Sequence, residues 1–175
     1  MRKLKTNELD RISAEEFKAT SKSNFVVVLD NIRSANNVGA AFRTGDAFKA
    51  ERILLCGITS TPPHRDINKT ALGAQDTVAW THFEDVLDAI NQLVDEGYEI
   101  VIIEQIDTSI SLQSFIPDPS KKYAYVFGNE VKGISEHILE KATMALEIPQ
   151  YGTKHSLNIS VTIGITLWQH MANSL

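Results

Sequence analysis

The stretch "FVVVLDNIRSANNVGAAFRTGDAF", residues 25–48, joins an apolar run to an amphipathic pattern. The run FVVVLD does not alternate apolar with polar residues, so it predicts a strand that is buried on both faces. The residues after it predict a helix over 37–49 whose apolar side includes Val38, Phe42 and Phe48. Parallel strands need such crossover helices, so the stretch predicts an α/β fold with a parallel sheet.

The same order of strand and helix patterns continues along the chain. A capping box of Ser13 and Glu16 predicts a short helix near the N-terminus, and the sequence TPPHRDINKTALGA predicts a loop over 61–74. We therefore expect an open, mostly parallel sheet with helices on both faces, in a single domain over 25–175 that follows a basic extension over 1–24. Further strands are predicted at 52–57, 77–83, 98–106, 123–130 and 144–150, and further helices at 83–97 and 135–142.

The last segment, residues 156–173, carries two conflicting patterns. Apolar residues alternate with smaller or polar ones from Leu157 to Leu167, which favours a strand. The segment is longer than the usual strand of about 3–10 residues. Leu157, Val161, Ile165 and Trp168 also form a stripe with helical spacing. The pattern alone leaves strand and helix open.

Composition narrows the class of protein. The chain has 175 residues, a net charge of −5 and one cysteine, which excludes an intrachain disulfide. No apolar run approaches the length of a membrane span, so we expect a cytoplasmic protein that does not enter the membrane. The net charge argues weakly against a nucleic-acid partner, but the charge is segregated: residues 1–22 hold six Lys or Arg against four acids, whereas residues 84–99 hold six acids and no base. One surface could therefore meet a polyanion.

Polar side chains collect after three of the predicted strands, where open α/β sheets bind their ligands. Because helix side chains lean toward the N-terminus, Arg43 is expected to lie back across Gly39 and to meet an anion at the amides of the first turn. A surface ion pair for Arg43 and ordinary turns or helix caps at the other two ends remain open. These ends hold Glu130 between Gly128 and Gly133, and Gly152 followed by Ser156, Asn158 and Ser160.

Other common sites are not indicated. The chain has neither a GxGxxG nor a GxxxxGK[ST] motif, and its five histidines lack ligand spacing, so no metal is predicted. The apolar surroundings of Cys56 favour a structural thiol over a nucleophile.

The segments NVGAAFR, VFGNEVKGIS and IPQYGTKHSLNISV together closely resemble the three motifs of the SpoU (TrmH-like) branch of the SPOUT superfamily, which are S-adenosylmethionine-dependent RNA ribose methyltransferases. The resemblance runs from about Phe25 to the C-terminus. It implies that 156–173 is a helix, that the C-terminal segment threads a loop to form a deep trefoil knot, and that the protein is a homodimer. Chains otherwise rarely thread, and no pattern in the sequence indicates the knot.

The resemblance also assigns site residues. In this family the arginine of the first motif acts in its own subunit's site or in the partner's. The implied catalytic residues are Asn37, Arg43, Glu130, Ser156 and Asn158. The implied cofactor-binding residues, for S-adenosylmethionine, are Gly128, Gly133, Ile148, Gly152 and Leu157.

We therefore expect methyl transfer to a ribose 2′-hydroxyl of RNA. A guanidinium keeps its proton up to a pKa above about 12, so Arg43 is expected to clamp phosphate and stabilise the alkoxide rather than to act as a base. Only 24 residues precede the first strand, which favours tRNA slightly over rRNA. The alternative is a non-catalytic RNA-binding or assembly protein with the same fold. For RNA contact we expect Lys3, Lys5, Arg65, Lys69 and Lys154.

Overall fold

The computed structural model describes residues 1–5 and 8–174, and these form one seven-stranded sheet with α-helices packed on it. The strands β1 to β7 span Phe25–Asp30, Ile53–Cys56, Trp80–Phe83, Tyr98–Ile103, Ile110–Ser111, Lys122–Phe127 and Met144–Glu147. Their order in the sheet is β3-β2-β1-β6-β4-β7-β5. Every neighbouring pair is parallel, which confirms the sheet expected from the buried strand runs.

The helices lie where the amphipathic patterns predicted them, with one addition. Ser34 caps the helix that follows β1, so this helix begins two residues earlier than predicted. The capping box of Ser13 and Glu16 is formed as expected. The helices α1 to α6 span Ala14–Ala19, Ala35–Ala47, Arg65–Ala71, Val86–Asp95, Glu136–Leu139 and Ile159–Ala172.

Helices cover both faces of the sheet. All six residues of β1 are buried, and alternate ones point to opposite sides. Phe25, Val27 and Leu29 pack in the same cluster as buried residues of α2, α3 and α6, whereas Val26 and Val28 pack with α4 and α5. FVVVLD does not alternate apolar with polar residues because both faces of β1 pack in a hydrophobic core.

The expectation of a loop over 61–74 is wrong, because this segment contains α3. His64 accepts a hydrogen bond from the backbone N–H of Asp66, and Ile67 and Ala71, four residues apart, are both buried against α2. The two-residue strand β5 was also not predicted. It is too short to leave a periodic pattern in the sequence.

The last segment is the helix α6, as the resemblance implied. Its buried side consists of Ile159, Ile163, Leu167 and His170 together with Thr166. The helical stripe seen in the sequence lies on the opposite, exposed side of α6. Val161, Ile165 and Trp168 are exposed there, and Trp168 is 60% exposed. The alternation arises because both sides of α6 are apolar.

A buried polar network anchors α6 to the sheet. The Nδ1 atom of His170 lies 2.7 Å from the hydroxyl of Tyr125, and Nε2 lies 3.0 Å from Oδ1 of Asn24. Because the amide nitrogen of Asn24 donates to the carbonyl of Lys121, its Oδ1 is the acceptor and Nε2 of His170 carries the proton. Burial lowers the pKa of His170 to about 4, so the ring is neutral at neutral pH.

Helix α3 lies directly on Gly39 of α2. A Cβ at Gly39 would collide with the hydroxyl of Thr70 and the backbone of Ile67. Arg43 therefore cannot lie across Gly39, as the sequence suggested, because α3 occupies that space. Gly39 is needed for the close approach of two helices.

None of the helices in the described part of the chain has the length and apolar character needed to cross a membrane.

The Gly39→Ala variant is expected to lose about 1–3 kcal/mol of unfolding free energy, because the added methyl group must push α3 away from α2. Gly164→Ala is the matched control: it also lies within a helix, its Cβ would meet nothing within 4 Å, and it should gain up to about 1 kcal/mol from helix propensity. Urea unfolding of both variants measures the difference. Equal effects in the two variants would contradict the packing role of Gly39.

Candidate active site

A cavity of about 480 Å³ lies at the carboxyl edge of the sheet. The strand order places β6, β4 and β7 side by side, so the loops that follow these strands converge there with the start of α6. Its volume is in the range of about 300–1,000 Å³ that is typical of small-molecule sites. Its lining includes Glu104, Gly128, Glu130, Gly133, Ile148, Ser156, Leu157 and Asn158.

Glu130 ties the loop after β6 to the start of α2. Its Oε2 accepts a hydrogen bond from the backbone N–H of Arg33 at 2.9 Å, and its Oε1 accepts from the N–H of Ser34 and from Nδ2 of Asn37, both at 3.1 Å. Burial alone would raise the pKa of Glu130, but these donors and its own backbone N–H outweigh burial and lower it. The carboxylate is therefore ionised at neutral pH.

This contact bears on the anion site that the sequence suggested at the amides in the first turn of α2. Just before that turn, the N–H groups of Arg33 and of the cap residue Ser34 bond to Glu130 of the same chain. The anion at this helix terminus is therefore an internal carboxylate.

Further hydrogen bonds join the same two loops. The buried Asp30, at the end of β1, accepts from the N–H and the hydroxyl of Ser135 at 3.1 and 2.7 Å. The side chain of Asn129 donates to the carbonyl of Asn31 at 2.7 Å. Sequence reasoning missed Asp30. The available signal was a lone carboxylate at the end of an otherwise apolar strand.

The turn after β6 needs both of its glycines. A Cβ at Gly128 would collide with the backbone of Gly133 and Ile134. Gly133 has a φ of +71°, a conformation that favours glycine. Two backbone hydrogen bonds close the turn: the N–H of Asn129 donates to the carbonyl of Gly133 at 3.0 Å, and the N–H of Gly133 donates to the carbonyl of Asn129 at 2.9 Å. Both glycines also line the cavity.

The third motif reaches the first across the cavity. Asn158 caps α6 by accepting from the N–H of Ser160 at 2.9 Å, and its Nδ2 lies 3.4 Å from Oδ1 of Asn37. Helix capping, which sequence reasoning left open, is therefore one role of Asn158. The structure brings Asn37, Glu130, Ser156 and Asn158 together.

Four of the five residues expected to bind a cofactor line the cavity: Gly128, Gly133, Ile148 and Leu157. Gly152 does not line it. It lies in the exposed segment between β7 and α6.

Arg43 is not brought to this cavity. It lies six residues after Asn37 on α2, about 9 Å along the helix axis. Its exposed side chain lines a second cavity with Asp46, Leu72 and Thr77, beside the C-terminal end of α3. The chain therefore separates Arg43 from the other four residues expected in the catalytic centre.

The residues expected to contact RNA are all exposed: Lys3, Lys5, Arg65, Lys69 and Lys154. Arg65 and Lys69 lie on α3, the helix that sequence reasoning missed. Within residues 1–5 and 8–174, no group of three or more His, Cys, Asp or Glu side chains could hold a metal ion.

Comparison with known proteins identifies relatives of this chain. A 23S rRNA (guanosine-2'-O-)-methyltransferase, RlmB, from Neisseria meningitidis is 29% identical over 147 residues, which are 84% of this chain and 58% of that protein. A tRNA (guanosine(18)-2'-O)-methyltransferase from Aquifex aeolicus is 29% identical over 151 residues, which are 85% of this chain and 69% of that protein. The chain therefore spans little more than half of the RlmB relative.

Solved structures agree with this relationship. The crystal structure of an AdoMet-bound rRNA methyltransferase from Sinorhizobium meliloti matches with a TM-score of 0.81 at 25% sequence identity, over 91% of this chain and 60% of that chain. The crystal structure of the TrmH/SpoU tRNA-modifying enzyme of A. aeolicus matches with a TM-score of 0.77 at 26% identity, over 89% of this chain and 77% of that chain.

The fold and the cavity define an open α/β protein with a ligand site at the carboxyl edge of a parallel sheet. The model of the SpoU rRNA Methylase family matches residues 24–168. The chain belongs to this family, which confirms the resemblance inferred from its three motifs.

Replacing Glu130 with Gln should loosen the connection between the two loops. A glutamine has one acceptor oxygen, so its amide group would face the N–H of Arg33 or that of Ser34. We expect a loss of about 1–2 kcal/mol of unfolding free energy and faster amide hydrogen exchange in residues 31–37 and 128–135, with the strands unchanged. Unchanged hydrogen exchange in both segments would contradict the role of Glu130 in joining the two loops. Glu140→Gln, at an exposed position, is the control.

Proposed function

We propose that this protein is an S-adenosylmethionine-dependent RNA methyltransferase that methylates a ribose 2′-hydroxyl. The observation that carries the proposal is the convergence of three distant motifs on one cavity, through the contacts Glu130–Asn37 at 3.1 Å and Asn37–Asn158 at 3.4 Å. The names of the RlmB and tRNA (guanosine(18)-2'-O) relatives and the AdoMet-bound neighbour support the same reaction and cofactor.

The cavity fits the proposed cofactor. Its volume suits a ligand of nucleoside size. Gly128 and Gly133 line the cavity and add no side chain of their own to its wall, so a flat adenine ring or a ribose can approach the backbone there closely. When bound there, the cofactor would supply an electrophilic methyl group on a sulfonium.

The residues of this chain supply positioning and charge. Asn37 links Glu130 to Asn158, and both of these line the cavity, so these groups are preorganised and need not reorder when RNA binds. Arg43 clamps the phosphate beside the target ribose and stabilises the developing alkoxide. Its guanidinium stays protonated, so we assign proton removal to another group, in which the RNA phosphate takes part.

We propose that the protein acts as a homodimer in which Arg43 comes from the partner subunit. Two observations support this arrangement. Arg43 lies outside the cavity of its own chain. The outer side of α6 beside the cavity exposes Val161, Ile165 and Trp168, an apolar surface that a second copy would cover.

We place the RNA on the surface that carries the exposed Lys and Arg residues of the 1–24 extension and of α3, and we include Lys154, which is exposed between β7 and α6. The acidic residues 84–99 lie around α4, on the face of the sheet opposite α2, α3 and α6, and should point away from RNA. We propose tRNA ahead of rRNA, and the cytoplasm as the place of action. The free, buried thiol of Cys56 fits a reducing compartment.

We also propose that 25–175 is a single methyltransferase domain with a C-terminal trefoil knot. Helix α6 packs against α2, and its cap residue Asn158 contacts Asn37, 121 positions earlier. Strand β7 lies inside the sheet, between β4 and β5. After β7 the chain therefore runs back from the inside of the sheet to α2. Threading of the C-terminal segment through a loop needs such a path.

A second candidate is a non-catalytic RNA-binding protein with the same fold. The separation of Arg43 from the cavity favours it, since a single chain does not assemble the full catalytic set.

Purified protein with methyl-labelled S-adenosylmethionine and RNA from a strain that lacks the gene should give alkali-stable label in RNA, because a 2′-O-methyl group blocks hydrolysis of the next phosphodiester. Separate tRNA and rRNA fractions identify the substrate. Arg43→Ala should reduce the rate at least about 100-fold, with cofactor affinity retained. Cofactor binding without transfer to either RNA would favour the non-catalytic alternative, and failure to bind the cofactor would refute the proposal.

Mixing two inactive variants tests the partner role of Arg43. Arg43→Ala and Asn158→Ala should each be inactive as pure dimers. After subunits exchange in equal amounts, half of the dimers are mixed and each contains one intact site, so about a quarter of wild-type activity should return. No recovery in confirmed mixed dimers would place Arg43 in the site of its own subunit.

A further inference from the structure

Glu104 is an acid at the wall of the cavity that none of the motifs contains. It directly follows β4, and its carboxylate accepts hydrogen bonds from the backbone N–H of Gln105 at 2.9 Å and of Ile134 at 3.2 Å. A Cβ at Gly133 would collide with Oε2 of Glu104. The carboxylate is therefore held against the glycine turn, in a fixed position beside the cavity.

The charged side chains that line the cavity are all acidic. Glu104, Glu130 and Glu147 belong to the lining, whereas no Lys or Arg is found among the described residues that line it. Glu130 is committed to three donors at the start of α2. Glu104 has only two backbone donors, so acceptor capacity on its two oxygens stays available to a ligand.

We infer that Glu104 recognises the positive charge of the methyl donor and so distinguishes S-adenosylmethionine from the demethylated product. The inference rests on the proposed function. The donor carries a sulfonium cation, and the product carries a neutral thioether at the same position. A fixed carboxylate in the wall attracts the first and gains little from the second.

This role has a kinetic consequence. Methyl transfer neutralises the sulfonium, so the attraction to Glu104 is weaker in the transition state than in the bound donor. Glu104 therefore contributes to donor binding and to release of the product, but it does not accelerate the chemical step. Its removal should raise KM for the donor and leave kcat unchanged or slightly higher.

The test is calorimetric titration of the full chain with the donor and with the product. Glu104→Gln keeps the shape and an acceptor for Ile134, and removes the charge. We expect a three- to tenfold weaker donor affinity and a product affinity within twofold of wild type. The wild-type preference for the donor should also shrink when salt is raised, because salt screens partly exposed charges.

Three further arms separate charge from shape. Sinefungin, in which a protonated amine on carbon replaces the methyl sulfonium, should lose affinity for the Glu104→Gln variant as the donor does. Glu104→Asp keeps the charge and should retain the donor preference. Glu84→Gln removes an acid that is 96% exposed and lies outside the cavity, so it should change nothing.

Equal losses for donor and product in Glu104→Gln would overturn the inference, since they would make Glu104 a neutral brace of the turn. Unchanged affinity for both ligands would overturn it as well. If wild-type protein binds neither ligand, the proposed function itself fails. The wild-type titration therefore distinguishes the two failures.

Discussion

The hydrogen bonds that the Glu130 carboxylate accepts from the backbone just before α2, and from Asn37 in its first turn, hold the loop after β6 against this helix. Backbone amides at a helix start carry partial positive charge and have no partner within the helix. Glu130 supplies that partner from a loop almost a hundred residues later in the chain. The loop after β6 is thereby fixed beside α2, and the glycine turn, Asn129 and Ser135 are fixed with it. One wall of the cavity, the loop after β6, is thereby held in place by the start of α2.

The hydrogen bonds of Glu130 also explain why cationic groups are needed at a distance from the cavity. Once Glu130 occupies the amides of Arg33 and Ser34, the start of α2 no longer offers them to a phosphate. An RNA substrate then needs cationic groups from elsewhere. The helix α3, placed on α2 by the bare Gly39, brings Arg65 and Lys69 to the same side of the sheet as the Arg43 cavity. The cavity proposed for the donor is lined by carboxylates and by no Lys or Arg of the described residues, whereas Arg43, Arg65 and Lys69 lie outside it, on the surface proposed for RNA.

The two ends of α6 perform different tasks. At its start, Asn158 caps the helix and contacts Asn37 at the cavity. Near its end, the neutral His170 is hydrogen-bonded to Tyr125 and Asn24 and holds the helix on the sheet. Between them, one apolar side is buried and the other is exposed. The chain itself covers one apolar side of α6, and the exposed side is the surface proposed above for a second copy.

Sequence by itself determined the α/β class, the parallel strands and most helices, because burial on both faces and helical periodicity are local patterns. FVVVLD and the capping box at Ser13 are examples. It also determined the family, since three ordered motifs seldom coincide by chance. The tertiary structure alone decided which side of α6 is buried and that α3 packs on Gly39. It also decided that Asp30 bonds to Ser135, that Glu104 lies against the glycine turn, and that Arg43 lies outside the cavity. Each of these depends on contacts between residues about 30 to 120 positions apart. The free energy of such contacts produces no periodic pattern in the sequence, so the sequence does not reveal them.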